Sequence, residues 1–272
     1  MSWRLIPAYL LFGLGSAVML VPFLWMISTS LKENSEVFVY PPVWFPNPPL
    51  WSNYAYVLEL LPFGRYLLNT TVVATTVTAL EVITSSLAAF AFARVDFPGR
   101  DRLFLIYLAT LMIPGQVTII PNFLVVSWLG WNNTYLALII PAAFSAFGTF
   151  LLRQFFLSIP VELEQAARID GCGYFGIYRH IILPLSGPAL ATLTIFVFMT
   201  QWNSFLWPLI VTNSDNYRTL TVGLSYFRNE YATQFNYLMA GTVMNVVPIL
   251  IVFAFLQRYF VRGIALTGLT GR

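Results

Sequence analysis

Long stretches without any ionisable side chain are the feature that most constrains the fold of this chain. Of its 272 residues, 58% are hydrophobic and only 9% are charged, a composition typical of an integral membrane protein. The hydrocarbon core of a bilayer is about 30 Å thick, so a helix needs roughly 20 apolar residues to cross it. Six ranges meet that requirement: 5–31, 66–93, 103–127, 132–156, 183–211 and 237–261.

These ranges favour helices over the strands of a β-barrel. A barrel strand is about ten residues long and alternates apolar and polar side chains, whereas residues 136–152, LALIIPAAFSAFGTFLL, are apolar on every side. The sequence therefore predicts an all-α membrane protein with six transmembrane helices, in which residues 1–272 form a single transmembrane domain. A polar loop is expected at residues 157–182, between the fourth and fifth helices.

The placement of arginine predicts the orientation in the membrane. If the N-terminus is cytoplasmic, ten basic residues lie in inner segments and four in outer segments, as the positive-inside rule requires. Both termini and the loop 157–182 are then cytoplasmic. The basic residues behind the net charge of +3 are scattered over the loops, a distribution that does not favour nucleic-acid binding.

Residue counts argue against several enzyme classes. The phosphate-binding loop of a Walker-type ATPase requires a lysine directly after a glycine. The only lysine of this chain, Lys32, has no glycine beside it. The chain has one histidine, His180, and one cysteine, Cys172, while metal sites and catalytic triads draw on several such residues. We therefore expect no catalytic residue, no metal site and no cofactor bound by this chain.

The polar loop has the pattern of two short helices joined by a glycine. Ser158 is suited to cap a helix over residues 159–170, whose first turn carries acidic side chains that favour the positive end of the helix dipole. Glu164 and Arg168 have the i,i+4 spacing of an ion pair on that helix. Gly171 can adopt the left-handed conformation that ends a helix.

The same loop resembles the cytoplasmic signature of the permease subunits of bacterial ABC importers. That signature is Glu-Ala-Ala, three residues, Gly, nine residues and then Ile-x-Leu-Pro. This chain has Gln165-Ala166-Ala167, then Gly171, and then Ile181, Leu183 and Pro184 at that spacing. It departs at Gln165, where the family has Glu, and Glu164 stands one position earlier.

Three further segments resemble the second permease subunit of carbohydrate importers: residues 20–38, 65–70 and 201–211. The resemblance implies half of a translocation path for a sugar or polyol, in the bacterial cytoplasmic (inner) membrane. The implied partners are a homologous permease, two ATP-binding subunits that hold ATP and Mg²⁺, and an extracytoplasmic solute-binding protein. It also implies that residues 159–171 couple the permease to the ATPase, through Glu162, Glu164, Gln165, Ala166, Ala167, Asp170 and Gly171.

Four polar residues inside the predicted spans are candidates for the translocation path: Glu81, Gln116, Gln201 and Asn245. A charged carboxylate at the centre of a membrane helix costs about 2.5 to 3.5 kcal/mol, so Glu81 should be protonated or buried against protein or water. It shares a face of small and polar residues with Ala74, Thr78 and Ser85. Gln116 follows Pro114-Gly115, where we expect a bend or gate. A purely structural hydrogen-bonding role remains the alternative for Glu81, Gln201 and Asn245.

Two other classes of function remain open. An ion-coupled secondary transporter would need internal repeats and an ion site, and the sequence shows no evident repeat and one acid at mid-membrane depth. A non-transporting membrane anchor would not need the spacing of the loop signature.

Overall fold

Every regular element in the described part of the chain is a helix. The computed structural model describes residues 6–229 and 234–267, and the predicted all-α class is confirmed. The α-helices are α1 (Ile6–Ser30), α2 (Ser52–Leu60), α3 (Phe63–Arg94), α4 (Arg100–Ala109), α5 (Gly115–Trp128), α6 (Tyr135–Ile139), α7 (Ala146–Ser158), α8 (Glu162–Ile169), α9 (Tyr174–Ile177), α10 (Leu183–Leu185), α11 (Gly187–Trp202), α12 (Leu206–Val211), α13 (Leu220–Asn229) and α14 (Phe235–Thr267). A π-helical turn, Tyr178–Ile182, joins α9 to α10.

Among the residues that the structure describes, three helices are long and apolar enough to cross a membrane by themselves. Their spanning segments are Tyr9–Ser30, Phe63–Arg94 and Phe235–Phe255. Three pairs of shorter helices pass the same test only when taken together, and they bend by 98°, 41° and 78° at a short break. The structure thus supports three to six spans, and the count of six stays a prediction.

The sharpest of these breaks lies where the sequence predicts a bend. The helices Arg100–Met112 and Gly115–Trp128 meet at 98°, with Ile113 and Pro114 between them in extended conformations. Proline disfavours the helical conformation for the residue before it and cannot donate a backbone hydrogen bond. The bend at Pro114-Gly115 is therefore confirmed.

The chain divides into two compact units. The first combines the chain up to Leu67 with Leu220–Pro248, and the second combines Leu68–Thr219 with the chain from Ile249 onward. The core of the first unit is built from Val57, Phe63, Tyr66, Leu220, Leu224, Phe227 and Ala240. The larger core of the second unit includes Val77, Ala89, Leu152, Phe156, Ala167, Ile177, Ile182 and Leu193.

Close contact between α3 and α7 organises the second unit. A Cβ atom added to Gly148 would lie 2.6 Å from Oγ of Ser85 and 3.2 Å from Cδ1 of Leu193, so a side chain at position 148 would force these neighbours to shift. On α3 the predicted small and polar face is buried, with Ala74, Thr78, Glu81 and Ser85 all at most 7% exposed. The expectation that the Glu81 side chain is buried against protein is confirmed.

The two ends of the chain, residues 1–5 and 268–272, lie outside the described residues. The cytoplasmic location that the sequence predicts for both termini stays a prediction.

Candidate functional site

The first candidate site is α8, the helix of the polar loop. It ends in a closed hydrogen-bonded turn: the Gly171 amide donates to the Arg168 carbonyl (3.1 Å) and the Cys172 amide donates to the Ala167 carbonyl (2.9 Å). This pattern requires a left-handed residue after the helix, and Gly171 has φ +84°. The helix stop predicted at Gly171 is confirmed.

The start of α8 differs from the prediction. The helix begins at Glu162 rather than at residue 159, because Ser158 still belongs to α7 and its hydroxyl donates to the Phe155 carbonyl (2.7 Å). Ile159 is extended, and it separates the two helices. The prediction of Ser158 as the cap of this helix is therefore wrong.

The side chains of α8 divide into a buried face and an exposed face. Glu164 and Ala167 are buried, at 4% and 7% exposure. The other residues expected to couple to a partner are exposed: Glu162, Gln165, Ala166, Asp170 and Gly171. Ile169 is also 87% exposed. This mixed polar and apolar surface is the part of α8 that another protein can reach.

The buried acid of α8 forms an ion pair with the last residue of α3. Nε of Arg94 lies 2.9 Å from Oε1 of Glu164, and both side chains are below 10% exposed. The same guanidinium donates through Nη2 to the carbonyls of Phe156 and Ile159. Arg94 thus ties together α8, the end of α7 and the α3 helix that carries Glu81.

Burial governs the electrostatics of Glu164. Desolvation raises the pKa of its carboxyl group, and the guanidinium groups of Arg94 and Arg168 oppose that shift. The predicted i,i+4 ion pair with Arg168 is not among the ion pairs within 4 Å in the described part of the chain. The Arg168 guanidinium instead lies 5.0 Å from the ring centroid of Tyr174. The prediction therefore had the wrong cation.

The second candidate site is a cavity of about 310 Å³ in the second unit. It lies at the 41° break between Tyr135–Ala142 and Ala146–Leu157. Two of the four predicted path residues, Glu81 and Gln201, line it together. The remaining lining residues are Ala142, Phe144, Ser145, Phe147, Phe196, Val197 and Thr200.

The other two path candidates do not join this cavity. Gln116 is exposed near the start of α5 and is not among the lining residues. Asn245 is buried, at 7% exposure, and belongs to the first unit. Only the pairing of Glu81 with Gln201 is therefore visible as a shared site.

Sequence reasoning missed the contributions of Arg94 and Ser145. Arg94 entered only as an orientation signal, although an arginine that ends a long apolar helix next to a polar loop could have been matched to an acid of that loop. Ser145 caps α7 by accepting a hydrogen bond from the Gly148 amide (3.1 Å), and it lines the same cavity as Glu81. Its position in an apolar run gave no signal of its own.

Membrane-length helices, a cavity beside a broken helix pair and a charged helix outside the apolar segments are together typical of a polytopic helical membrane protein of the permease class. The family model described as "Binding-protein-dependent transport system inner membrane component" matches residues 81–266. The chain belongs to this family, and it is the permease component of a binding-protein-dependent ABC importer.

Curated relatives match over most of the chain. The arabinooligosaccharides transport system permease protein AraQ of Halalkalibacterium halodurans is 38% identical, over 90% of this chain and 86% of that protein. The sn-glycerol-3-phosphate transport system permease protein UgpE of Yersinia pestis is 36% identical, over 92% of each chain.

Solved structures agree with the fold. A chain of a bacterial ABC transporter involved in the import of the acidic polysaccharide alginate superposes with a TM-score of 0.82 at 26% identity, over 96% of this chain and 99% of that one. A second chain, from the alginate transporter in complex with an alginate pentasaccharide-bound periplasmic protein, gives a TM-score of 0.67 at 16% identity, over 93% and 94%. This second match bears on the fold alone.

Proposed function

We propose that this chain forms half of the path of an ATP-driven importer for a sugar or polyol, paired with a homologous permease. Two separate ATP-binding subunits hold ATP and Mg²⁺, and an extracytoplasmic solute-binding protein delivers the solute. The observation that carries the substrate class is the 38% identity to a permease named for arabinooligosaccharide transport. The importer lies in the bacterial cytoplasmic (inner) membrane.

In the proposed arrangement residues 1–272 form one transmembrane domain of six spans, with both termini and the loop 157–182 in the cytoplasm. The excess of basic residues in the inner segments supports this orientation. Each bent helix pair then counts as one span.

The exposed face of α8 docks on an ATP-binding subunit. Gln165 and Ala166 lie at its centre, and Glu162 and Asp170 provide charge at its two ends. The buried face of α8 transmits the motion inward, because Glu164 is paired with Arg94 at the end of α3. Glu164 and Ala167 therefore act by holding α8 in position, whereas the exposed residues meet the partner.

Disulfide crosslinking tests the docking surface. In a Cys172→Ser background, which removes the only native cysteine, Gln165→Cys should crosslink to a cysteine introduced in the co-purified ATPase. Ala167→Cys is the matched control, because Ala167 is on the buried face and should not react. The proposal would be contradicted if Gln165→Cys crosslinked to none of the cysteines introduced in the ATPase of the intact assembly.

The turn after α8 gives a functional test. Gly171 has φ +84°, which proline cannot adopt because its ring fixes φ near −65°. Gly171→Pro should abolish ATP-driven uptake while the subunits still assemble. Gly173→Pro is the control, since Gly173 has φ −77° and should keep most uptake. Uptake that persists unchanged in Gly171→Pro would reject the coupling role of this loop.

An energisation experiment separates the alternatives. Proteoliposomes that contain the purified assembly should accumulate solute with ATP and not with an ion gradient alone. Accumulation driven by the gradient would identify an ion-coupled secondary transporter, and no accumulation under either condition would indicate a non-transporting anchor.

A further inference from the structure

The cavity beside Glu81 combines features of a site for an uncharged, hydroxyl-rich ligand. Its volume of about 310 Å³ lies at the lower end of small-molecule sites, which typically join apolar walls with a few placed polar groups. Here the polar groups are Glu81, Ser145, Thr200 and Gln201. The apolar walls include three phenylalanines, described next.

Aromatic side chains supply the flat surfaces of the cavity. Phe144 is 69% exposed, Phe147 is 47% exposed and Phe196 is 46% exposed, so their rings are not covered by the described part of this chain. An aromatic ring offers an apolar face at low conformational cost, and the C–H face of a sugar ring is a matching surface.

Among its described lining residues, the cavity contains no basic side chain that could pair with an anion. Glu81 is the one ionisable residue among the lining side chains, and no Lys or Arg lines the cavity. Within the described residues no basic side chain forms an ion pair with Glu81. A carboxyl group hydrogen-bonds with hydroxyl groups whether or not it is ionised, so a hydroxylated solute is a suitable partner, whereas a phosphate or uronate group would find no basic side chain to pair with.

The helix end at this cavity is capped by the chain itself. Ser145 is the N-cap of α7, and its hydroxyl oxygen accepts a hydrogen bond from the Gly148 amide (3.1 Å). This amide is therefore not free to bind an anion, although the amino end of a helix otherwise attracts negative charge.

We propose that the cavity formed by Glu81, Ser145, Thr200 and Gln201 with Phe144, Phe147 and Phe196 is a transient binding site for a neutral sugar or polyol on the translocation path. It binds no phosphorylated or acidic saccharide. Two of the transporters similar to this chain are named for sn-glycerol-3-phosphate and for acidic alginate, so these two anionic solutes are informative probes of the proposed site. This inference rests on the proposed transport function and specifies the substrate class.

Photo-crosslinking tests occupancy directly. The transporter is purified intact with its accompanying subunits, and Phe147→benzoylphenylalanine is irradiated with arabinotriose, maltotriose, sn-glycerol-3-phosphate or an alginate trisaccharide. Phe150→benzoylphenylalanine is the matched control, because Phe150 is on the same helix, is 38% exposed and does not line the cavity. Mass spectrometry then identifies what is attached at each position.

The expected result is attachment of at least one neutral saccharide at position 147, little at position 150, and no attachment of either anion. Attachment of an anionic probe, attachment of a partner polypeptide instead of solute, or no attachment of any probe would each overturn the inference. ATP-driven uptake is measured on the same preparation. Uptake without labelling at position 147 refutes only this site, whereas absence of uptake together with absence of an ATPase refutes the proposed function.

A substitution adds a second measurement. Glu81→Gln keeps the shape of the side chain but replaces the carboxyl group that lines the cavity by an amide with different donors and acceptors, so KM for the neutral solute should rise roughly tenfold. The cavity still has no basic side chain in this variant, so sn-glycerol-3-phosphate should again fail to label position 147. An unchanged KM would contradict the role given to Glu81, and labelling by the anion would contradict the proposed site.

Discussion

The ion pair between Arg94 and Glu164 allows a quantitative prediction about the stability of α8. Replacing Arg94 by methionine keeps much of the apolar stem but removes the guanidinium group. That group forms the 2.9 Å ion pair with Glu164 and donates to the carbonyls of Phe156 and Ile159. One substitution thus removes the ion pair to α8 together with both hydrogen bonds to Phe156 and Ile159.

The magnitude follows from burial. The two side chains are 9% and 5% exposed, and removing one partner of a buried ion pair costs about 3 to 5 kcal/mol because the other charge is left uncompensated. Glu164→Gln should cost less, about 1 to 3 kcal/mol, because Arg94 keeps its two carbonyl acceptors. The double variant Arg94→Met with Glu164→Leu should recover part of the loss, since it leaves no buried charge.

Hydrogen exchange of the α8 amides in the detergent-purified protein measures this local stability. A loss of about 3 kcal/mol corresponds to roughly a hundredfold faster exchange, which is the minimum expected for Arg94→Met. Glu164→Gln should accelerate exchange by about tenfold. Arg102→Met is the control, because Arg102 is exposed on α4 and such surface changes stay within about 0.5 kcal/mol.

Equal exchange of α8 in Arg94→Met and in the unaltered protein would refute the reasoning. So would a double variant less stable than Arg94→Met, because the cost would then come from lost packing rather than from an unpaired charge.

Two further predictions concern packing and pH. Gly148→Ala should destabilise the protein by about 1 to 3 kcal/mol in a thermal unfolding assay, because the new Cβ would lie 2.6 Å from Oγ of Ser85. Gly176→Ala is the control and should be tolerated, since the nearest contact of its Cβ is 3.5 Å. Equal melting temperatures of the two variants would contradict the prediction. Burial raises the pKa of Glu164, so the folded state holds a proton that the unfolded chain releases, and the free energy of unfolding falls as pH rises through that interval. The pH dependence should be largest in Arg94→Met. In that variant, hydrogen exchange of the α8 amides, corrected for intrinsic rates, should be slower near pH 5 than near pH 7. Corrected exchange rates that do not change with pH would contradict this prediction.

Local chemistry made the helical class and the ends of several helices predictable. Apolar composition identifies membrane helices because the bilayer leaves the backbone no other hydrogen-bond partner. Gly171 and Pro114 act through their own conformational limits, so the helix stop and the bend could be predicted without knowledge of distant residues.

Contacts between distant segments were not predictable in the same way. The spacing of Glu164 and Arg168 pointed to an ion pair within one helix, yet Glu164 pairs with Arg94, 70 positions earlier in the chain. Sequence patterns describe neighbours on one helix. The partner of a buried charge depends instead on which basic side chain the tertiary structure brings beside it. The same limit applies to the cavity, where Gln201 joins Glu81 only because α11 and α3 fold into one unit.

The first helix has a consequence for how substitutions in it should behave. The most apolar window of Tyr9–Ser30 has none of its residues buried within the chain, and large side chains such as Phe12 and Met19 are 72% and 76% exposed. Packing inside the subunit therefore imposes almost no selection on this surface. Substitutions that change the shape of these exposed side chains should leave the melting temperature of the isolated subunit unaltered. They should instead alter the binding of lipids or neighbouring chains.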